Sequence, residues 1–441
     1  MQILPSGHEP SAPAQAGLAL APFRGVRYAR DRVTGLAEVT SPPYDVITRG
    51  IADQLFAADP HNVVRLILPR HPPGHRGSVY DDAAQSLAEW LQGGILVPDP
   101  APALYVYEQA APGGTVLQRG LIGAVRLAPP EAGVIRPHED VAPGPVEGRL
   151  QLMKATQANL EPIFLLYDGG AGGASTRLVD ETARLRPPLA GAVTGDGIRH
   201  RLWAIDDPAE LAAIAADLAP RDALIADGHH RYAAYLKLQA HRRAAGAGAG
   251  PWDYGLALLV DAAAYPPDIG AIHRVIPRLA PDAAAELAKA AFTVRRLPGG
   301  TRDLPAALDE LAAENERGPA LLVAGGGGAW LLSDPDPAQV EAAMPPGHSA
   351  EWRGLAASVL QELLMERVWK VTWDAVRIVH NDAAAAVAAA DEAGGTAVIC
   401  PPMATAEVYA LAAQGERVPR KSTSFGPKPR TGLVVRTFAQ G

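Results

Sequence analysis

Residues 223–243 read ALIADGHHRYAAYLKLQAHRR. The apolar run from Ala223 to Ala226 predicts a short buried strand, and the spacing of Tyr232, Tyr235, Leu236 and Leu238 predicts a helix. Asp227-Gly228-His229-His230-Arg231 is then a strand-to-helix turn. Gly228 permits the tight backbone, Asp227 can hydrogen-bond local amides, and His229, His230 and Arg231 fall on the first helical turn. Unpaired N–H groups and a fixed guanidinium at one helix N-terminus make a natural anion site. A lone Asp-Gly would be read as a cap with surface histidines behind it; two adjacent histidines and an arginine turn the reading to phosphate or carboxylate binding. One helix terminus contributes about 0.3–1 kcal/mol and a charge-assisted hydrogen bond roughly 1.5–3 kcal/mol. Micromolar affinity needs about 8 kcal/mol, so other cations must converge on this turn.

Around it, Arg199 to Ile205 and Trp252 to Val260 read as strands and Pro208 to Leu218 as a helix, a two-layer α/β order. Upstream lies RPHEDVAPGPVEGRLQLMKATQANLEPIFLLY, residues 136–167. It sets His138 and Glu139 before a Pro/Gly loop, then a helix from Val146 to Leu160 carrying Arg149, Lys154 and Asn159, then a strand from Ile163 to Tyr167. A His-Glu pair supplies a general base or metal contacts; solvated loop residues would look the same. In SPPYDVI, Pro42 and Pro43 stiffen a loop that presents Tyr44 and Asp45, as substrate contacts or as a linker with Tyr44 on the core. Asp53 to Ala58 and Asp81 to Gln92 read as helices, Val63 to Leu68 as a strand, and Leu104 to Glu108 with Leu117 to Val125 as a hairpin. The Gly325 to Gly328 run is a hairpin tip, because no Gly-Lys-Ser/Thr follows it. Leu355 to Val368 and Asp382 to Ala393 read as helices. Near the end, RVPRKSTSFGPKPR (417–430) holds five basic residues, three hydroxyls after Lys421, and no acid. In an acidic protein this points to an anion site, and Lys421 and Lys428 are candidates for the missing cations.

The 441 residues carry a net charge of −8, with 40 Lys and Arg scattered among 48 acids, which argues against general nucleic-acid binding. Cys400 is the only cysteine, so no intramolecular disulfide forms and a reducing, cytoplasmic setting fits. No stretch reads as an export signal or a membrane span. The expected division is a disordered tail over 1–21, an N-terminal mixed α/β unit over 22–130, a central unit over 131–276 and a C-terminal region over 277–441 whose basic loop returns to the site.

PFRGVRY, SPPYDVI, PHEDVAPGP with Arg149, ATQANLEPIF, IADGHHRYAAY, His273-Arg274 and GERVPRKSTSFGPKPRTGLV together resemble the bacterial and archaeal family catalogued as domain of unknown function 1015. Within that likeness, the strand-DGHHR-helix unit is similar to the ParB/sulfiredoxin superfamily and its nucleotide-dependent free-serine kinases. The resemblance implies a mixed α/β fold, a ParB/sulfiredoxin-like two-layer unit embedded in a larger multi-layer chain, with nucleotide phosphate bound at Asp227 to Arg231. His229 stands where sulfiredoxins carry their cysteine, which disfavours sulfinic-acid repair.

The expected function is phosphoryl transfer from ATP or ADP, with Mg²⁺, to a small hydroxylated metabolite, serine being the first candidate. Glu139, His138, Asp227 and His230 are the expected catalytic groups. Gly228, His229, Arg231, Arg149, Asn159, Lys421, Ser422, Thr423 and Lys428 would hold the nucleotide, and Tyr44, Asp45, His273 and Arg274 the substrate; the metal ligands are open. The rivals are a ParB-like nucleotide-hydrolysing switch and a non-catalytic phosphate- or metabolite-binding protein. A homodimer is left open.

Overall fold

The computed structural model describes residues 17–71, 74, 77–170 and 172–440. A large mixed sheet is built from β1 (Leu20–Ala21), β2 (Leu104–Ala110), β3 (Val116–Arg126), β4 (Ile135–Pro137), β5 (Ile163–Tyr167), β6 (Ala190–Val193), β7 (Arg199–Ile205), β8 (Ala223–Asp227) and β9 (Tyr254–Asp261). Its order is β4-β8-β5-β9-β3-β2-β7-β6, with β1 on β3. Both faces are covered: Leu224 and Ala226 of β8 enter one core while Ala223 and Ile225 enter the other. That double burial is why β8 is an unbroken apolar run rather than an alternating one. On one face pack α1 (Pro143–Thr156) and α2 (His229–Ala244), through Val146, Leu150, Tyr235 and Leu238. On the other lie the N-terminal segments, with Leu87 and Trp90, and the returning C-terminal segment, with Phe425, Leu433, Val434 and Val435.

A second sheet follows: β10 (Ile272–Ile276), β11 (Thr293–Arg296), β12 (Leu321–Gly325), β13 (Gly328–Ser333), β14 (Arg377–His380) and β15 (Thr396–Ile399), in the order β11-β13-β12-β15-β10-β14. It too separates two cores. The chain then crosses back. Ser424–Gly426 pairs with Asp268–Gly270, Thr431 bridges to Ser41, Val435 to Val26, and Arg436–Thr437 pairs with Ala158–Asn159.

Several expectations change. The tail over 1–21 falls partly outside the described residues (1–16), and its last part is ordered: Leu18 and Leu20 are buried and β1 pairs with β3. A boundary at 130 would cut one sheet, because β3 pairs with β9 and β2 with β7. β10, placed at the end of the central unit, belongs to the second sheet. Val63 to Leu68, read as a strand, holds a helical turn over Val64–Ile67, begun by Asn62 Oδ1 accepting the Val64 N–H at 2.9 Å. A short, wholly buried apolar run carries no periodicity to separate the two. The helix read over Val146 to Leu160 starts at Pro143, whose fixed φ suits a first turn, and stops at Gln157 with φ 48°. Asn159 therefore lies on a strand.

Candidate functional site

Strand direction gathers the site. β8 runs parallel to β4, so Asp227 and His138 leave the sheet at the same edge; β5 is antiparallel, so Glu161 and Pro162 enter at that edge. The β8 ladder slips between Ile225 and Asp227, and Gly228 follows at φ 96°. A Cβ on Gly228 would meet Ile163 Cγ2 at 2.8 Å, so the turn requires glycine on grounds of both space and backbone. α2 begins at once, and no side chain caps its first N–H groups. Asp227, expected either to cap the turn or to serve as a catalytic group contacting Mg²⁺, faces two cations.

Asp227 Oδ2 accepts from Arg231 Nη2 at 2.5 Å and its Oδ1 from Lys428 Nζ. Lys428 also donates to Asp45 Oδ2 at 2.9 Å. Arg231 is buried, donates Nη1 to Pro162 O at 2.5 Å, and lies under the Tyr44 ring. Arg149 covers the same ring at 4.2 Å and donates to Ile67 O at 2.8 Å and Glu161 Oε2 at 3.4 Å. Glu161 Oε1 accepts the Tyr44 N–H at 3.0 Å. Tyr44, Asp45, Arg149, Glu161, Asp227, Arg231 and Lys428 thus form one continuous network.

Charges in this network tune one another. Burial favours neutral Asp45, but Lys428 and Arg231 outweigh it and bring its carboxyl down to about 2. Burial opposes the Lys428 cation, yet Asp227 and Asp45 hold it above the ordinary lysine value. Burial likewise opposes the Arg231 cation, and Asp227, Glu161 and Asp45 more than offset it. Tyr44 is pushed up to about 12, chiefly by burial.

The histidines do not bring positive charge. His229 Nε2 accepts the His138 backbone N–H at 3.3 Å, and His230 Nε2 accepts that of Ala142 at 3.1 Å. Burial first, and then neighbouring positive charge, lower both, and His229 falls well below the usual imidazole range. Both rings are neutral, with Nδ1–H as the remaining donor. His138 is engaged on both nitrogens, donating Nδ1–H to Ile225 O at 2.6 Å and accepting from Thr423 Oγ1 at 2.8 Å; burial brings it down to about 4. It splints β8 to the C-terminal loop and has no ring nitrogen free for a proton.

Val418 donates its N–H to His138 O at 2.8 Å, and this brings Lys421, half-buried and at φ 59°, to the edge. Among the described residues Lys421 has no ion-pair partner, and its charge acts on Asp45, Glu139 and His230. Burial pushes the Glu139 carboxyl up against the pull of Lys421, Arg420 and Arg274.

Other candidates are engaged in internal hydrogen bonds. Asn159 Oδ1 accepts from Arg436 at 2.9 Å, Ser422 donates to Pro419 O at 2.6 Å, and His273 Nδ1 accepts the Cys400 N–H at 3.3 Å. Arg274 donates to Ile272 O at 2.9 Å and Lys421 O at 2.7 Å, so it braces the lysine's turn from the second sheet. Glu161 was missed. Its signal was an acid wedged between Leu160 and Pro162 just before an all-apolar strand, a position too buried for an unpaired charge.

Among the described residues no group of three or more His, Cys, Asp or Glu side chains could hold a metal ion, and no helix is long and apolar enough to cross a membrane.

Among solved structures the chain is similar to a free serine kinase variant in complex with ADP, at 16% identity over 68% of this chain and 90% of that one, with a TM-score of 0.35. It is also similar to a conserved hypothetical protein from Pyrococcus furiosus (15%, 70% and 94%, TM-score 0.36). A third is SbnI with a C-terminal truncation from Staphylococcus aureus (11%, 72% and 87%, TM-score 0.36). Likenesses this distant say nothing about what this chain binds. No curated protein matches it. The profile of the family described as "Protein of unknown function (DUF1015)" matches residues 20–358, more than half of the chain, and the protein therefore belongs to that family.

Proposed function

We propose that the edge formed by Asp227 to Arg231 binds the phosphates of ATP or ADP and passes a phosphoryl group to a small hydroxylated metabolite, serine being the first candidate. The ParB/sulfiredoxin affinity of the strand-DGHHR-helix unit is part of the same proposal. The observation that carries it is the return of the basic C-terminal loop to an uncapped helix N-terminus, with Lys421 lacking an ion-pair partner among the described residues. Phosphoryl transfer asks mainly for held phosphates, placed charge and an aligned nucleophile. Lys421 and the N–H groups at the start of α2 supply phosphate contacts. Arg231 and Arg149 act behind them, fixing Asp227, Tyr44 and Glu161 rather than touching phosphate.

Four carboxylates (Asp45, Glu139, Glu161, Asp227) stand among Arg149, Arg231, Lys421 and Lys428, with Arg420 and Arg274 acting on Glu139 from further off, and three of the near cations are already ion-paired, so a polyanion arriving here needs a counter-charge. Mg²⁺ fits when carried in by the phosphates, because it takes one or two protein carboxylates and leaves the other positions to water and phosphate. Asp45 suits this: only Oδ2 is bound to Lys428, and the side chain is 24% exposed. Bound there, the ion would neutralise charge on the phosphates. Glu139, with its raised carboxyl, is the better proton acceptor; Asp45 at about 2 is a weak base.

The test is incubation of the purified protein with ATP or ADP and pooled hydroxy and amino acids, products being read by mass spectrometry. A new phosphorylated metabolite is expected. Glu139→Gln should keep nucleotide affinity and lose about a hundredfold or more of acceptor phosphorylation; unchanged turnover moves the base to Asp45. Nucleotide hydrolysis without acceptor product would favour a ParB-like switch, and binding without any product a sensor.

A further inference from the structure

The second sheet carries a cavity of about 240 Å³ that the phosphate edge does not use. Arg274 forms part of its wall. That side chain is 3% exposed, has no carboxylate within ion-pair distance among the described residues, and holds its Nη groups on carbonyls only. Its Nε–H has no hydrogen-bond partner. The Glu139 carboxylate acts on Arg274 from beyond ion-pair distance and the Trp373 ring lies 5.2 Å away; a buried guanidinium with no contact ion pair and an unused donor is costly.

A second feature faces the same space. Ala356 and Ala357 line the cavity at the start of a helix that runs unbroken over Ala356–Ser358 and Val359–Trp369, and no side chain caps its first N–H groups. These donors and the N-terminal dipole favour a negative group. Ile272, Leu355, Leu360 and Met403 give an apolar stretch within a wall that also carries polar groups such as Asn315 and Arg317. Glu316 and Glu407 also line it, and the other lining cation, Arg317, is ion-paired with Glu314 at 3.5 Å, so a second negative charge on the ligand is disfavoured. The volume lies at the small end for ligand pockets.

We propose that this cavity is a binding site for a short-chain aliphatic monocarboxylate, its carboxylate between Arg274 and the helix start and its chain against Ile272, Leu355 and Met403. The site is independent of phosphoryl transfer, although Ser422 lines it and Lys421 is the next residue along the chain.

Calorimetric titration with butyrate at fixed ionic strength tests this, with butyramide as the uncharged isostere. Saturable one-to-one binding of butyrate is expected, with butyramide weaker by about tenfold or more, the value of one charge-assisted hydrogen bond. Arg274→Met should weaken butyrate by a similar factor. Because Arg274 also braces the 420–421 turn, Ala357→Leu is the deciding variant: it fills the cavity from a half-buried position and leaves the arginine in place. Loss of butyrate binding in Ala357→Leu, with an unchanged circular dichroism spectrum, supports the site. Absence of saturable butyrate binding, equal binding of butyramide, or unaltered binding in Ala357→Leu overturns it.

Discussion

Arg231 donates to Asp227 and to Pro162 O from a buried position, so removing it strands a carboxylate beside Lys428 alone. From the sequence, Arg231→Ala should cost nucleotide binding and leave the ligand-free protein untouched. Burial reverses that: we expect Arg231→Ala to destabilise the ligand-free protein by about 3–5 kcal/mol in urea denaturation. A loss within ±0.5 kcal/mol would mean the pair is not formed. Lys421→Ala is the converse case. A half-buried lysine without an ion pair should change stability by no more than about 0.5 kcal/mol while weakening nucleotide binding, as thermal shift with and without ATP will show. Which residues meet was partly legible. Asp45, Asp227, Arg231 and Lys428 were all singled out and are bonded together. Which of them are used up by one another was not, because a charge on paper carries no partner. The charge state of the histidines was not legible either: backbone N–H donors at Ala142 and His138 make them neutral acceptors, and backbone groups are invisible in a motif.

At the scale of elements, the long periodic segments and bracketed strands were readable. α2, the Pro208–Leu218 helix and the 104–126 hairpin all lie where spacing put them. So does the turn between β12 and β13, where Gly326 and Gly327 have φ 58° and 80°, the two left-handed residues that a tight hairpin of this kind demands. What spacing could not show was the long-range stitching of the C-terminal segment, whose two- and three-residue strands carry no period. Its weight is testable at Phe425, which is 1% exposed between the His138 ring and the first core. Phe425→Ala should cost about 3–5 kcal/mol, and because the cavity opens beside His138 it should also weaken nucleotide binding. Full nucleotide affinity in a folded but destabilised variant would separate the packing from the site.

For the whole molecule, acid is the informative variable. Burial holds His138, His200, His273 and His380 at about 4, against an ordinary value of 6.5. Below 6.5 the unfolded chain takes up protons that the folded chain refuses. Stability is therefore complete above pH 6.5 and declines as pH falls toward 4. Melting temperature measured across that interval should drop steadily before most carboxylates titrate; a flat profile would mean these rings are not buried neutral. The division into units was the least legible feature at this scale, since segments 300 residues apart pair as neighbours and composition shows no seam.

The return of the C-terminal segment also sets a timetable. Lys428 meets Asp45 across 383 positions of chain and Asp227 across 201. During synthesis the first sheet can be complete, with α2 packed on it, while the edge that carries Asp227 still lacks both Lys421 and Lys428. The residues of the second sheet must emerge before the strands at 424–426 and 436–437 can reach their partners. The proposed phosphate binding at this edge therefore has to wait until nearly all of the polypeptide has been made.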